Sequence, residues 1–539
     1  MVPVKSRTLA QRNERMNFQE ASTMTETTTE ALLASGDEHD NRDEIFSPQG
    51  ALLPNPDDVY RNFIRMAIFF SIHHGCVVSC LSLATARLGA DVGATQSSLL
   101  YLSYTGSALV GATYITKRWG AHRALITGLF LYCFYVGAFG LAAHGNDNKT
   151  LVAWMAYIGA IMGGLGAGLV WTAQGSFFAQ AAQTHARTAA VTEEGFSQQQ
   201  EQDSITRTTD SDDRTSQSTA QMAGVFAFFY LGLELLLRSL SSLASWKTVF
   251  NLYGVLTVVS TLCMVLLVKP PNLSTQYVAQ ERPSASLLWY QITAAIQLWK
   301  PSTDGHWPVM PLMLGLNAVF GLESAFLNAY INGQVVAPES VGLWTAWASG
   351  VAALWSLVFG KLTSNHGANN HSIWSNRKGW VLSAGAVCFA SVLLPFAVAP
   401  NVTKWSTRSS LSWWVFFLIY SLHGTGRATF EGTLKATFAD FFVHEKEGAF
   451  ANIILQNGLA SSFGFFLTSR LACDPQSAGA YCVPYRDGSY HHLGAMQLLV
   501  FLVAIFAILG YWKAAHMVKE QQEQRNREGG ESAARETNN

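Results

Sequence analysis

Charged and amide side chains inside otherwise apolar stretches are the groups in this sequence whose types and spacing could do chemistry. Glu234 and Arg238 stand four residues apart in the stretch 221–243. On a helix that spacing puts both on one face, Glu first, the favourable order for an ion pair. Such a pair either neutralises itself and packs two elements together, or binds and couples a solute. Glu323, in the stretch 309–335, has no basic residue within a turn. It reads as a proton carrier or as a group met from another helix. Asn317, Asn328 and Asn332 fall within about 60° of one another on a helical wheel, and Glu323 points about 240° from Asn317. Either the Asn stripe or Glu323 is therefore expected on a central cavity, not both. Asn452, Gln456 and Gln174 are further cavity candidates, because amides in lipid need partners and turn towards protein or a wet space. Arg427, Glu431 and Lys435 repeat at i, i+4 and i+8. Arg427 and Glu431, with Lys117 and Arg118, form a candidate cytoplasmic gate; a solvated helix end explains Arg427 and Glu431 equally well.

Other constellations point away from catalysis. Adjacent residues on a helix diverge by about 100°, so His73 and His74 are poorly placed to share a metal. His491-His492 and His444-Glu445-Lys446-Glu447 match no metal-ligand spacing either. Gly159, Gly163, Gly164, Gly166 and Gly168 include small-xxx-small pairs that suit close helix contact. They are no nucleotide loop, since no strand precedes them and no Lys-Ser/Thr follows. Neither an enzyme nor a cofactor is expected.

The elements that position these groups follow from composition. Of 539 residues, 13% are charged and 49% hydrophobic. Residues 1–60, 183–220 and 513–539 hold 36 of the 71 charged side chains in 125 positions. The remaining 414 residues carry about one charge in twelve, too few to keep a soluble domain dissolved. A net charge of −1 without a basic stripe disfavours nucleic acid as a partner, and 7 Cys exclude a disulfide scaffold. The partner implied is the lipid bilayer. Twelve runs are long enough to cross about 30 Å of hydrocarbon as helices. They lie near 63–84, 98–116, 124–143, 151–173, 221–243, 248–268, 309–335, 341–362, 380–399, 411–430, 450–468 and 494–512. The first apolar run is expected to act as an uncleaved membrane signal.

The runs fall into a six-helix half at 61–268 and a second at 309–512. The tails 1–60 and 513–539 and the polar loop 183–220 are expected to be disordered. The cytoplasmic linker 269–308 is expected to carry an amphipathic helix bearing Leu287, Leu288, Trp289, Ile292, Ile296, Leu298 and Trp299. With both termini cytoplasmic, the cytoplasmic segments hold 25 Lys/Arg against 7 on the other side. The basic loop Lys117-Arg118-Trp119-Gly120-Ala121-His122-Arg123 agrees. The sequons at Asn148 and Asn401, and the pair Cys473 and Cys482, then fall on the outer side, where glycosylation and a disulfide are expected. A weak repeat aligns Gly224-Val225-Phe226-Ala227 with Gly448-Ala449-Phe450-Ala451, and Gln174-Gly175 with Glu431-Gly432. These positions correspond if the halves are parallel repeats.

Three motifs carry a family resemblance. Gly164-Leu165-Gly166-Ala167-Gly168-Leu169-Val170-Trp171-Thr172-Ala173-Gln174-Gly175-Ser176 resembles the fourth-helix signature of the uncoordinated-93-like ion-channel regulatory proteins, a branch of the major facilitator superfamily. Gly321-Leu322-Glu323-Ser324-Ala325-Phe326-Leu327 resembles the same family's seventh helix, and Glu447 to Asn452 with Gln456 its eleventh. Arg427 stands where that family carries an acidic residue after the glycines, and Lys117 where facilitators usually carry Asp. The resemblance implies an all-α, polytopic bundle of twelve transmembrane helices in two six-helix halves around a central cavity. It implies either secondary transport of a small solute or ion, or an auxiliary subunit or trafficking regulator of another membrane protein, such as a potassium channel or a receptor.

Overall fold

The computed structural model describes residues 55–144, 148–194, 206–271, 295–300, 308–364, 377–398, 410–442, 446–474, 482–485 and 490–537. The described chain is built on twelve long helices. They are α1 (Pro56–Leu88), α2 (90–119), α3 (Ala121–Ala143), α4 (Lys149–Glu194), α5 (Thr206–Leu243), α6 (Trp246–Leu267), α7 (Val309–Val335), α8 (Val341–Ser364), α9 (Arg377–Val398), α10 (410–441), α11 (Lys446–Arg470) and α12 (Gly494–Thr537). Ten of them are long and apolar enough to cross a membrane. The other two, α2 and α10, are as long but more polar, and their polar side chains are turned into protein: Gln96, Ser97 and Thr105 of α2, and His423, Arg427 and Thr429 of α10, are buried.

Single glycines make the sharpest connections. Gly89 (φ 87°) joins α1 to α2 and Gly120 (φ 85°) joins α2 to α3, a backbone region that residues with a Cβ avoid. The glycines of α4 seat it between two neighbours. A Cβ on Gly164 or Gly168 would strike Ser103 and Ser107 of α2, and one on Gly159, Gly163 or Gly166 would strike α3. Close backbone approach of this kind replaces the hydrophobic drive that lipid does not supply. Helices α2, α7 and α10 each contain a π-helical turn, at Ala108–Ala112, Leu327–Val335 and Thr429–Leu434.

Three expectations need correction. The segment 183–220 is not a structureless loop over its described part: α4 runs through Glu194 and α5 opens at Thr206. The C-terminal residues continue α12 to Thr537, with Lys519 and Glu523 paired at 3.9 Å. The N-terminal tail ends earlier than residue 60, because α1 begins at Pro56, where Asn55 accepts from the Asp57 amide at 3.0 Å. Helix growth from an anchored turn needs no new nucleus, and Ala, Gln, Glu, Lys and Arg favour it. The rest of the N-terminal tail, most of the amphipathic linker and Asn401 lie outside the described residues.

The first six and last six helices meet in pairs: α1 with α7, α2 with α11, and α5 with α8. Thr85 Oγ1 donates to the Asn328 carbonyl (2.6 Å), Ser98 Oγ to the Ser462 carbonyl (3.0 Å), and the Leu343 amide to Ser242 Oγ (3.0 Å). The Thr85 and Ser242 contacts lie towards the C-terminal ends of α1 and α5 and bridge the two helix sets there. Beyond α11, Cys473 and Cys482 are joined by a disulfide. The strand Cys482–Pro484 (β1) pairs antiparallel with Tyr490–His492 (β2), and Tyr485 donates to the Thr468 carbonyl at 3.0 Å.

Candidate functional site

Helix α10 carries a ladder of polar side chains, and most of its rungs meet a different helix. Nearest its start, the Tyr420 hydroxyl donates to Asn332 of α7. Three residues on, His423 Nδ1 lies 2.9 and 3.0 Å from the two carboxylate oxygens of Glu323, also on α7. One turn further, Arg427 reaches α5. Its Nη1 lies 2.6 Å from Glu234 Oε1 and its Nη2 2.7 Å from Oε2. The last rung stays within α10, where Lys435 Nζ lies 2.6 Å from Oε2 of Glu431, four residues before it.

The Glu234 rung is the most heavily partnered. Ser349 of α8 donates to Oε1 at 3.0 Å, and Arg238 Nε lies 2.9 Å from the same oxygen as an ion pair rather than an aligned hydrogen bond. Arg427 Nη2 also donates to the Tyr230 hydroxyl at 3.1 Å. Glu234 is fully buried. One carboxylate thus faces two guanidinium groups and a hydroxyl, drawn from α5, α8 and α10. A two-pronged guanidinium–carboxylate contact fixes orientation as well as charge. Behind it lies an aromatic wall. Trp171 of α4 has its ring centre 5.8 Å from that of Tyr230, 5.1 Å from that of His74 and 5.4 Å from that of Phe70. Lys435 Nζ stands 5.3 Å from the centre of the Trp171 ring.

Several expected roles change with these distances. Arg427 and Glu431 do not pair: Arg427 is buried against Glu234, and Glu431 holds Lys435. Arg118 is exposed at the end of α2, and no contact joins it to Arg427 or Glu431 among those described; Lys117 lies in the same last turn. Glu323, Asn317 and Asn332 are all buried against neighbouring helices, and Asn328 is half-buried. Asn317 Nδ2 donates to Gln456 Oε1 of α11 at 2.7 Å, and Asn332 Nδ2 to Asn328 Oδ1 at 3.0 Å. Asn452 is buried against the linker. It accepts from Trp299 Nε1 at 2.6 Å and donates to the Ala295 carbonyl at 2.8 Å, and so ties the linker to α11. Gln456 lines an apolar groove of about 310 Å³ with Leu314 and Leu322 of α7, Leu459 and Phe463 of α11, and Trp299. Gln174 is buried in α4. Asn148 caps α4, accepting from the Thr150 and Leu151 amides.

Sequence reasoning passed over His423, Tyr420, Tyr230 and Ser349. The signal was present for two of them: His423, Arg427, Glu431 and Lys435 repeat every four residues, as do Tyr230, Glu234 and Arg238. Ser349 carries no such pattern.

No protein-family model matches the chain, and no curated protein matches it. Solved structures do. The chain is similar to the D-xylose–proton symporter, with 13% identity, 85% of this chain and 96% of that one covered, and a TM-score of 0.50. It is similar also to a mutant of the nucleoside transporter NupG, with 11% identity, 85% and 99% covered, and a TM-score of 0.51. The chain therefore shares the fold of these two structures, an all-α, polytopic one with ten helices long and apolar enough to cross a membrane.

Proposed function

We propose that this protein is a secondary transporter that moves a small solute or ion by alternating access. The observation that carries the reading is the Arg427–Glu234 contact, a buried two-pronged ion pair between α10 and α5. Charges at membrane depth are expensive to keep and are functional groups by default. A buried pair gives little net stability over apolar packing, yet removing one partner is strongly destabilising. It therefore suits a contact that holds one arrangement of the two helix sets. The bridges of Thr85 to Asn328 and of Leu343 to Ser242, which join the two helix sets, support a rocking motion about those pairs. The two similar structures are transporters of a sugar and of a nucleoside.

The three sequence motifs support membership of the uncoordinated-93-like branch. Both termini face the cytoplasm, which puts the Thr85 and Ser242 bridges and the disulfide on the opposite side, and Asn148 and Asn401 accept glycans there. The test is flux. The full chain in liposomes should move at least one solute from a panel of neutral, cationic and anionic small molecules, and Glu234→Gln should abolish that movement. A monodisperse preparation that moves no member of the panel overturns the reading.

A further inference from the structure

We propose that Glu431 and Trp171 form a binding site for a primary organic ammonium ion, and that Lys435 occupies this site as a tethered substitute when it is empty. The inference rests on the transport reading and names the substrate class of that same region.

Three observations converge. First, the Lys435 ammonium has two partners of the kind a free amine would seek. It lies 2.6 Å from the Glu431 carboxylate and 5.3 Å from the centre of the Trp171 ring. The face of an indole is its electron-rich side, and a cation held there is attracted the more strongly the less water surrounds it. The ring is fixed for that task, since Phe70, His74 and Tyr230 all meet it at 75–78°.

Second, this rung is accessible while the next one is sealed. The side chains of Lys435 and Glu431 are 33% and 18% exposed, against 8% for Arg427 and none for Glu234. Nothing lies within 4 Å of a Cβ built on Gly432, beside Glu431, or on Gly175, one turn from Trp171. Both helices therefore have open space within one turn of the residues that hold the cation.

Third, the two contacts differ in how readily they open. The Arg427 fork is filled by both oxygens of Glu234 and by Tyr230. Lys435 is a single charge on a flexible four-carbon stem, and its carboxylate partner sits on its own helix. An incoming ammonium can take both contacts while Lys435 swings to water, with no buried charge left unpaired. Binding there joins α4 of the first helix set to α10 of the second through the ligand itself.

The test uses 2-phenylethylammonium as probe and 2-phenylethanol as its neutral counterpart, with the purified full chain. Binding is read by titration in detergent and flux in liposomes. The charged probe should bind and the alcohol should not. Lys435→Met, which removes the competitor, should tighten binding roughly tenfold, on the scale of one desolvated cation–aromatic contact. Glu431→Gln should abolish it, and Trp171→Leu should weaken it about tenfold while Trp171→Phe retains most of it. A gain of affinity cannot come from misfolding, so Lys435→Met decides the matter even if the other variants fold poorly. Equal binding of the alcohol, or no gain in Lys435→Met, overturns the site. Binding that follows this pattern without flux leaves the site standing and overturns the transport reading. Flux of other solutes unchanged by these variants, with no probe binding, overturns the site and leaves transport standing.

Discussion

Two buried carboxylates, one on α5 and one on α7, meet α10 within about one turn of each other, and they are held in different ways. Glu323 has His423, within the last six helices. Glu234 has Arg427, Arg238 and Ser349, and its main contact runs from the first six helices to the last six. A change in the angle between the helix sets leaves the first contact in place and pulls on the second. The difference separates a group that stiffens one helix set from one that reports how the two sets stand to each other.

Substitutions at these residues separate the two carboxylates by experiment. Arg427→Ala should have the largest effect, because it removes the partner that grips both oxygens of Glu234 and leaves Arg238 and Ser349 to hold a buried carboxylate. A loss of up to about 3–5 kcal/mol is expected, read as a lower Tm in detergent, together with loss of flux. Arg427→Lys should restore part of the stability but not the flux, since an ammonium cannot grip both oxygens. Glu323→Gln should cost about 1–3 kcal/mol, again read by Tm, and should leave the distance between spin labels on α5 and α10 unchanged. If Glu323→Gln shifts that distance as much as Arg427→Ala does, the distinction fails. Ser349→Ala removes one hydrogen bond to a charged acceptor that keeps its other partners, and about 1–2 kcal/mol is expected. Lys519→Ala, on the exposed end of α12, should change Tm by the equivalent of less than about 0.5 kcal/mol, as befits a solvated i, i+4 pair.

The linker offers a similar contrast on a smaller scale. Asn62 exchanges two hydrogen bonds with the backbone of Lys269, at 2.8 and 2.9 Å, and so fixes the end of α6 to α1. Asn452 fixes residues 295–299 to α11. Asn452 was legible in the sequence as an amide needing a partner, but its partner was not. The same holds for Asn317, whose partner Gln456 lies 139 residues away.

Composition and periodicity were enough to place the ten helices that are long and apolar enough to cross a membrane, because a helix that crosses hydrocarbon must be apolar for about 20 residues and must satisfy its own backbone. They also marked Glu234, Arg238 and Glu323 as costly, since charge in an apolar run is visible without any coordinates, whereas Arg427 read equally well as a gate residue or as part of a solvated helix end. Spacing within one helix could pair Glu234 with Arg238 and Glu431 with Lys435, for a helix fixes which of its own residues are neighbours. It could not pair Arg427 with Glu234 or Glu323 with His423. Those partners lie 193 and 100 residues apart, and which helix faces which is settled by packing, through close contacts such as those of Gly164 and Gly342, rather than by any local pattern.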